Sequence, residues 1–235
     1  MLAAYANSID FGNPLAGLVV GEVADPVVPA GWTTVTMKAA SLNHHDLWSL
    51  RGIGLPADRL PMTLGCGAAG IDEQGNEVVV YTVVSDAPFG TDETIDESRS
   101  ILSEKFPGTF SERFAIPARN LIAKPTNWSW AEAACLPTAW LTAYRMLAVR
   151  SGLRPGNTVL VQGAGGGVAT ACIALGAAMG FRVWATSRDE EKRARALELG
   201  AHDVFESGAR LPDRVDAVME TVGEATWEHS VKCLK

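Results

Sequence analysis

The run Val159-Leu160-Val161-Gln162-Gly163-Ala164-Gly165-Gly166-Gly167-Val168-Ala169 decides the fold. An apolar segment, Thr158–Gln162, reads as a buried strand. It enters a glycine cluster and passes directly into Val168–Met179, a helical segment full of Ala and Leu. Glycine is needed in such a turn because the chain reverses tightly and its backbone must approach a pyrophosphate with no Cβ in the way. The helix start then offers unpaired N–H groups and the positive end of its dipole to the phosphates. The glycine spacing alone is a weak signal, and a turn that binds nothing is the alternative. The strand–turn–helix setting, with Ala169 at the last small position, favours a dinucleotide site. Gly163, Gly165, Gly166, Gly167 and Val168 are therefore candidate cofactor contacts.

Downstream, Phe181–Thr186 reads as a second strand ending in Ala185-Thr186-Ser187-Arg188. A site for NAD places an acidic residue at this strand end, where it binds the ribose 2′-hydroxyl. Here Ser187 and Arg188 stand instead, with Lys192 and Arg193 one turn on. A hydroxyl and a guanidinium suit a 2′-phosphate, so the expected cofactor is NADP(H). The alternative is that Arg188 is a solvated charge at a helix start, paired with Asp189 or Glu191. Asp189–Leu199 is a charged helix that stops at Gly200. His202–Phe205 and Val215–Glu220 supply two more strands. Such alternation predicts a parallel sheet with helices on its faces.

Upstream, the pattern changes character near residue 125. Short β-rich runs alternate there with Gly, Pro, Asn and Asp: Gly17–Val23, Trp32–Ala39, Glu77–Val84 and Thr109–Ile116. They predict a β-barrel or sandwich-like domain. Ser85–Pro107 is polar and acidic, and reads as a long surface loop with one helical turn. Trp130–Arg150 reads as helical, interrupted at Pro137. The expected division is a β domain over 1–124 and a nucleotide-binding α/β domain over 125–235.

The chain has 235 residues, 47% hydrophobic and 20% charged, with a net charge of −7. This is the composition of a globular protein with a substantial core. The negative balance argues against nucleic acid or an anionic membrane as partner, since either calls for a basic face. No apolar run reaches membrane-spanning length, and Met1–Asp10 lacks the features of a signal peptide. Cys66, Cys135, Cys172 and Cys233 are far apart and form no C-x-x-C pair. Reduced thiols in a cytoplasmic protein are the expectation, with a small molecule as the protein's substrate.

Several separated stretches resemble quinone-oxidoreductase-like members of the medium-chain dehydrogenase/reductase superfamily. They are Leu136-Pro-Thr-Ala-Trp-Leu-Thr-Ala-Tyr-Arg-Met-Leu147, Gly152-Leu-Arg-Pro-Gly156, Thr158–Ala169 and Glu198-Leu-Gly-Ala201. Ala39-Ala-Ser-Leu-Asn-His-His-Asp-Leu-Trp48 and Leu64-Gly-Cys-Gly-Ala-Ala-Gly70 fit the first domain of that family. The resemblance spans the whole chain, in the family's order. It implies a GroES-like β-barrel domain that holds substrate, followed by a Rossmann doubly wound parallel sheet that holds cofactor, with the site in the cleft between. It adds Thr142 and Val222 to the cofactor contacts. It also implies hydride transfer to a quinone or an α,β-unsaturated carbonyl.

Zinc-dependent alcohol dehydrogenases resemble this chain too. They use a Cys near Asn43, a His-Glu pair near Cys66-Gly67 and a further Cys near Thr138. One soft ligand among Asn43, Cys66, Gly67 and Thr138 does not make a tetrahedral site, so no metal is expected. Without one, the Asn43 amide is a candidate to polarise the acceptor oxygen. His45, at the position of the family's proton-relay hydroxyl, is a candidate general acid. Asp46 either orients His45 or caps the following helix, and Asn43 has the same capping alternative.

Two departures stand out. Many zinc-free relatives carry an acidic residue in place of Gly67. The family also continues past the position of Lys235 with further sheet strands and a return segment, so the expectation is a truncated chain, monomeric by itself where the longer protein is a homodimer. The competing readings are a non-catalytic NADPH-binding or redox-sensing protein and an alcohol dehydrogenase-like enzyme.

Overall fold

The computed structural model describes residues 1–88 and 91–235. Phe89 and Gly90, inside the expected surface loop, lie outside the described residues. The chain divides into two compact units, Met1–Thr138 and Ala139–Lys235.

The first unit is built on antiparallel strands. β1 (Leu2–Ala6) lies between β2 (Leu18–Glu22) and a short strand at 62–63. β3 (Trp32–Ala40) is the long central strand, with a bulge between Met37 and Ala39. It is followed by α1 (His44–Leu50) and β4 (Met62–Thr63). Then come β5 (Ala68–Asp72), β6 (Glu77–Val80), β7 (Val83–Val84), β8 (Ser100–Ile101), β9 (Arg113–Pro117) and β10 (Leu121–Ala123). The larger sheet runs β10-β6-β5-β3-β9. Alternation along β3 buries Thr33 and Val35 and turns Thr36 outward, as a strand with one covered face requires. Val35 joins Val78, Val80, Phe114 and Ile116 in the core. β1 is not among the expected strands, because an Ala-rich pentapeptide carries little β signal without its partners.

The segment 130–150 is helical throughout. α2 (Trp130–Cys135) is capped by Ser129 and Glu132. A π-helical turn spans 136–140, α3 (Leu141–Tyr144) follows, and a second π turn spans 145–150. Pro137 does not break the run as expected. It sits in the wide π turn, which tolerates its missing N–H. Ala133 and Ala134 of α2 pack on Ala69 and Val79, so the packing boundary falls after Thr138, beyond the change of pattern near 125.

The second unit is a parallel sheet. β11 (Thr158–Val161) leads to α4 (Gly167–Ala178), β12 (Arg182–Thr186), α5 (Glu190–Glu198), β13 (Asp203–Phe205), β14 (Ala217–Met219) and α6 (Glu224–Cys233). The strand order is β13-β12-β11-β14, all parallel. Val159, Val161, Val183 and Ala185 face a core that includes Ala171, Ile173 and Ala196 from α4 and α5. Leu160 and Trp184 face the opposite way, against Val215 and Cys233. Helices on both faces explain why the strands are apolar without alternation. This is the doubly wound sheet that the sequence predicts, with its βα turn after β11.

Candidate functional site

The glycine turn lies between β11 and α4. Gly163 and Gly165 adopt φ of +72° and +107°, where a Cβ is strained. Space is also short: a Cβ on Gly163 would stand 2.5 Å from Val222 Cγ2, and one on Gly165 would stand 2.6 Å from Lys192 Cδ. A Cβ on Gly166 would meet the Gly163 carbonyl oxygen at 3.9 Å, an ordinary contact. Gly167 opens α4 and packs close to Ala139. No side chain caps this helix end, and no acidic residue occupies its first turn. The first N–H groups, from Gly167 and Val168 onward, thus stay available to an anion, and a pyrophosphate fits this cradle.

The end of β12 stands beside the turn. The Ala164 N–H donates to the Thr186 carbonyl at 2.7 Å. Ser187 is buried, and its hydroxyl accepts from the Asp189 N–H at 3.2 Å. Asp189 caps α5 by accepting from the Lys192 N–H. Arg188 is exposed and makes no ion pair among the described residues, so it is not held by Asp189 or Glu191. Arg193 turns back to donate to the Ser187 carbonyl at 2.7 Å, with Glu206 at 3.9 Å. The Lys192 stem lies over Gly165. Val222 is half-exposed over Gly163, and Thr142 is exposed on α3.

A second cluster lies in the first unit, around the start of α1. Asp46 Oδ2 accepts from the Asn43 N–H at 2.7 Å and so caps the helix. Its other oxygen is buried with no partner. Burial pushes the Asp46 carboxyl above its usual range, against the opposing pull of the Asn43 N–H, of His45 and of the Gly65 N–H. The Asn43 amide donates to the Ser41 carbonyl at 3.0 Å and to its hydroxyl at 3.2 Å. His45 is largely buried, its Nε2 without a hydrogen bond and 3.8 Å from Glu104 Oε1. His44 is exposed and meets the Trp48 ring edge-on.

Thr138 donates to the Cys66 carbonyl at 2.7 Å, and its hydroxyl lies 3.8 Å from the Cys66 sulfur. Burial, then the Asp46 charge, pushes the Cys66 thiol up to about 12. A Cβ at Gly67 would collide with the Ser41 hydroxyl and stand 3.1 Å from the Ala134 carbonyl and 3.3 Å from Thr138 Oγ1. Asn43 and Gly67 thus meet at Ser41, while Thr138 is bonded to Cys66 beside Gly67. Among the described residues no three His, Cys, Asp or Glu side chains group to hold a metal.

Sequence reasoning misses Ser41 and Glu104. Ser41 announces nothing by motif. Glu104 lies in a stretch that reads as surface loop, yet Ser103, at φ +71° and fully buried, bends the chain just before it.

Residues 167–235 match the family model described as zinc-binding dehydrogenase. The chain is 33% identical to an acryloyl-coenzyme A reductase of Metallosphaera sedula, over 93% of this chain and 70% of that protein. A crystal structure of an NAD-dependent alcohol dehydrogenase superposes with a TM-score of 0.90 at 31% identity, covering 100% of this chain and 74% of the other. The quinone oxidoreductase of Thermus thermophilus, whose structures include a complex with NADPH, gives a TM-score of 0.77 at 28% identity, covering 100% and 70%. With the glycine turn between β11 and α4 and the parallel order of the sheet, these likenesses show that the chain belongs to the medium-chain dehydrogenase/reductase superfamily of oxidoreductases, among its quinone-oxidoreductase-like members.

Proposed function

We propose that the chain is an NADP(H)-dependent reductase that transfers hydride to a quinone or an α,β-unsaturated carbonyl without a catalytic zinc. The observation that carries the cofactor choice is Arg188: an exposed guanidinium just past the end of β12, with no ion pair among the described residues, where an NAD site would hold a carboxylate. The nicotinamide nucleotide supplies the hydride. The first N–H groups of α4 hold its pyrophosphate. Arg188 binds the 2′-phosphate, with Ser187 beside it and Lys192 reaching over the glycine turn. Substrate is held by the first unit.

Against zinc stands the chemistry of the donors. Cys66 is the one soft ligand at the four family positions, and its burial holds it as a thiol. Gly67 leaves no room for a ligating side chain. The residues present do not fit a tetrahedral zinc ion, so no step passes through one. His45, with an uncommitted Nε2 beside Glu104, delivers the proton that balances the hydride. Asp46 is committed to the start of α1 and positions His45 on that helix.

The test is NADPH consumption with a panel of quinones, enones and enoyl thioesters, on protein whose zinc content is measured after purification without added metal. Turnover of an activated alkene or a quinone at less than about 0.1 zinc per chain is the expected result, since the donor set lacks a tetrahedral site. One chelation-resistant zinc per chain, or turnover of alcohols alone, overturns the proposal.

A further inference from the structure

Beneath the glycine turn lies a chain of buried hydrogen bonds with a fixed direction. Gln162, the residue after β11, is fully buried. The Thr186 hydroxyl donates to its Oε1. Its Nε2 donates to His229 Nδ1 at 2.9 Å and to the Ser230 hydroxyl at 3.0 Å. The other ring nitrogen of His229 lies 2.8 Å from the Ala209 carbonyl, with the Cys233 sulfur 3.4 Å away. A carbonyl only accepts, so Nε2 carries a proton, and in the neutral ring Nδ1 accepts from the Gln162 amide. That sets the orientation of the Gln162 amide. Ser230 then donates to Glu220. Glu220 also accepts from Thr226 at 2.9 Å and from the N–H groups of Val222 and Gly223 at 2.8 and 3.1 Å. Partial burial pushes the Glu220 carboxyl up, but these donors together outweigh it and hold it below the usual range.

The network joins the carboxyl ends of three adjacent strands. Gln162 ends β11 and precedes Gly163. Thr186 ends β12 and precedes Ser187. Glu220 follows β14 and holds Val222 and Gly223 by their amides. The residues that follow each member are the candidate cofactor contacts. Gln162 touches both neighbouring strand ends, Met219 through its backbone N–H at 3.1 Å and Thr186 through its side chain, and α6 as well, and an amide can accept from Thr186 while donating twice. A buried polar group is costly unless every bond is made, and here every bond is made.

We propose that Gln162 is a positioning residue: through Thr186, His229, Ser230 and Glu220 it holds the three turns that carry the dinucleotide in one register. This rests on the nicotinamide-cofactor reading of the turn. It goes beyond that reading by assigning a task to side chains that touch no nucleotide.

The test compares wild type with Gln162→Leu, Thr186→Val and Thr186→Ser. Hydrogen exchange in the nucleotide-free protein reads the register directly. The expected result is about tenfold faster exchange at Gly163, Val222 and Gly223 in Gln162→Leu and Thr186→Val, with Leu160 and Val183 within about twofold of wild type. NADPH and NADH should both bind about tenfold more weakly, since both carry the pyrophosphate, and Thr186→Ser should restore them. If Gln162→Leu does not fold, the Val and Ser variants of Thr186 decide. Exchange that rises evenly across the sheet, or turns that stay protected, overturns the positioning role. Wild type that binds neither nucleotide overturns the cofactor reading instead, while loosening confined to the three turns would still support the network's hold on them.

Discussion

Lys192 and Gly165 are packed against each other: the aliphatic stem of Lys192, on the first turn of α5, occupies the space that a side chain at Gly165 would need. The contact brings a cation from the helix after β12 over the glycine turn after β11. It also makes Gly165 doubly intolerant, since its φ of +107° disfavours any Cβ. Gly165→Ala should therefore destabilise the protein by about 1 kcal/mol or more and weaken both nucleotides. Gly166→Ala is the contrast. Its φ is −78° and a Cβ there makes an ordinary contact, so stability should hold while the new methyl obstructs the phosphate site. Denaturant midpoints and nucleotide titrations on both variants check this. A Gly165→Ala protein of unchanged midpoint would contradict it.

Arg188→Ala should discriminate between the nucleotides. A hydrogen bond to a charged group contributes roughly 1.5–3 kcal/mol, and about 1.4 kcal/mol is tenfold in binding. NADPH should bind about 10- to 100-fold more weakly, and NADH should be unchanged for want of a phosphate to lose. Fluorescence titration at one fixed salt concentration reads the difference, because such contacts are screened. Equal loss of both nucleotides would move Arg188 to a structural role at the start of α5.

His45→Ala should lower kcat by about 10²-fold on an enone, as removal of a general acid does. His44→Ala should leave kcat within about threefold, because its ring is exposed and edge-on to Trp48. Glu104→Gln, which keeps the shape beside His45 but removes the charge, should lower kcat by less than His45→Ala does. Steady-state kinetics of the three variants settles the assignment, and an unchanged rate for His45→Ala would remove His45 from the chemistry.

Two cysteines carry a pH dependence. Burial pushes Cys66 and Cys172 from 9.0 up to about 12. A thiol whose folded pKa is raised contributes stability that is whole below the unfolded value and is lost as pH rises toward the folded one. Thermal midpoints should therefore fall between about pH 9 and 12, and Cys66→Ala Cys172→Ala should flatten that limb. Burial keeps Cys66 and Cys172 as thiols near neutral pH, so alkylation of the folded chain should reach the less buried Cys135 first. Mass spectrometry of partly alkylated protein reads the order.

The parallel sheet is legible because its signals are local: an apolar strand, a glycine turn and a helix follow one another within twenty-odd residues. The same locality places Ser187 and Arg188 at a strand end. β1 is not legible, since Leu2–Ala6 becomes a strand by pairing with 18–22 and 62–63. Nor is the helical run through Pro137, where packing of Ala133 and Ala134 on the sheet overrides the proline. Gln162 looks like one residue of an apolar strand. Its partners His229 and Ser230 lie 67 and 68 positions away, and no spacing rule reaches that far. Asn43 and Asp46 are legible as a pair, and the structure distinguishes them by which atoms they spend: Asp46 on the helix start, Asn43 on Ser41.

The crowding around Gly67 closes off a simple evolutionary and engineering route. Ser41 and the Ala134 carbonyl fill the volume that a histidine or glutamate side chain there would need. Grafting a metal-binding set onto this scaffold one codon at a time would pass through variants in which the first added side chain strikes β3's flank and α2 at once. A side chain at position 67 therefore needs Ser41, the Ala134 carbonyl and Thr138 to give way together, so a substitution there succeeds only as part of a concerted repacking of all three neighbours.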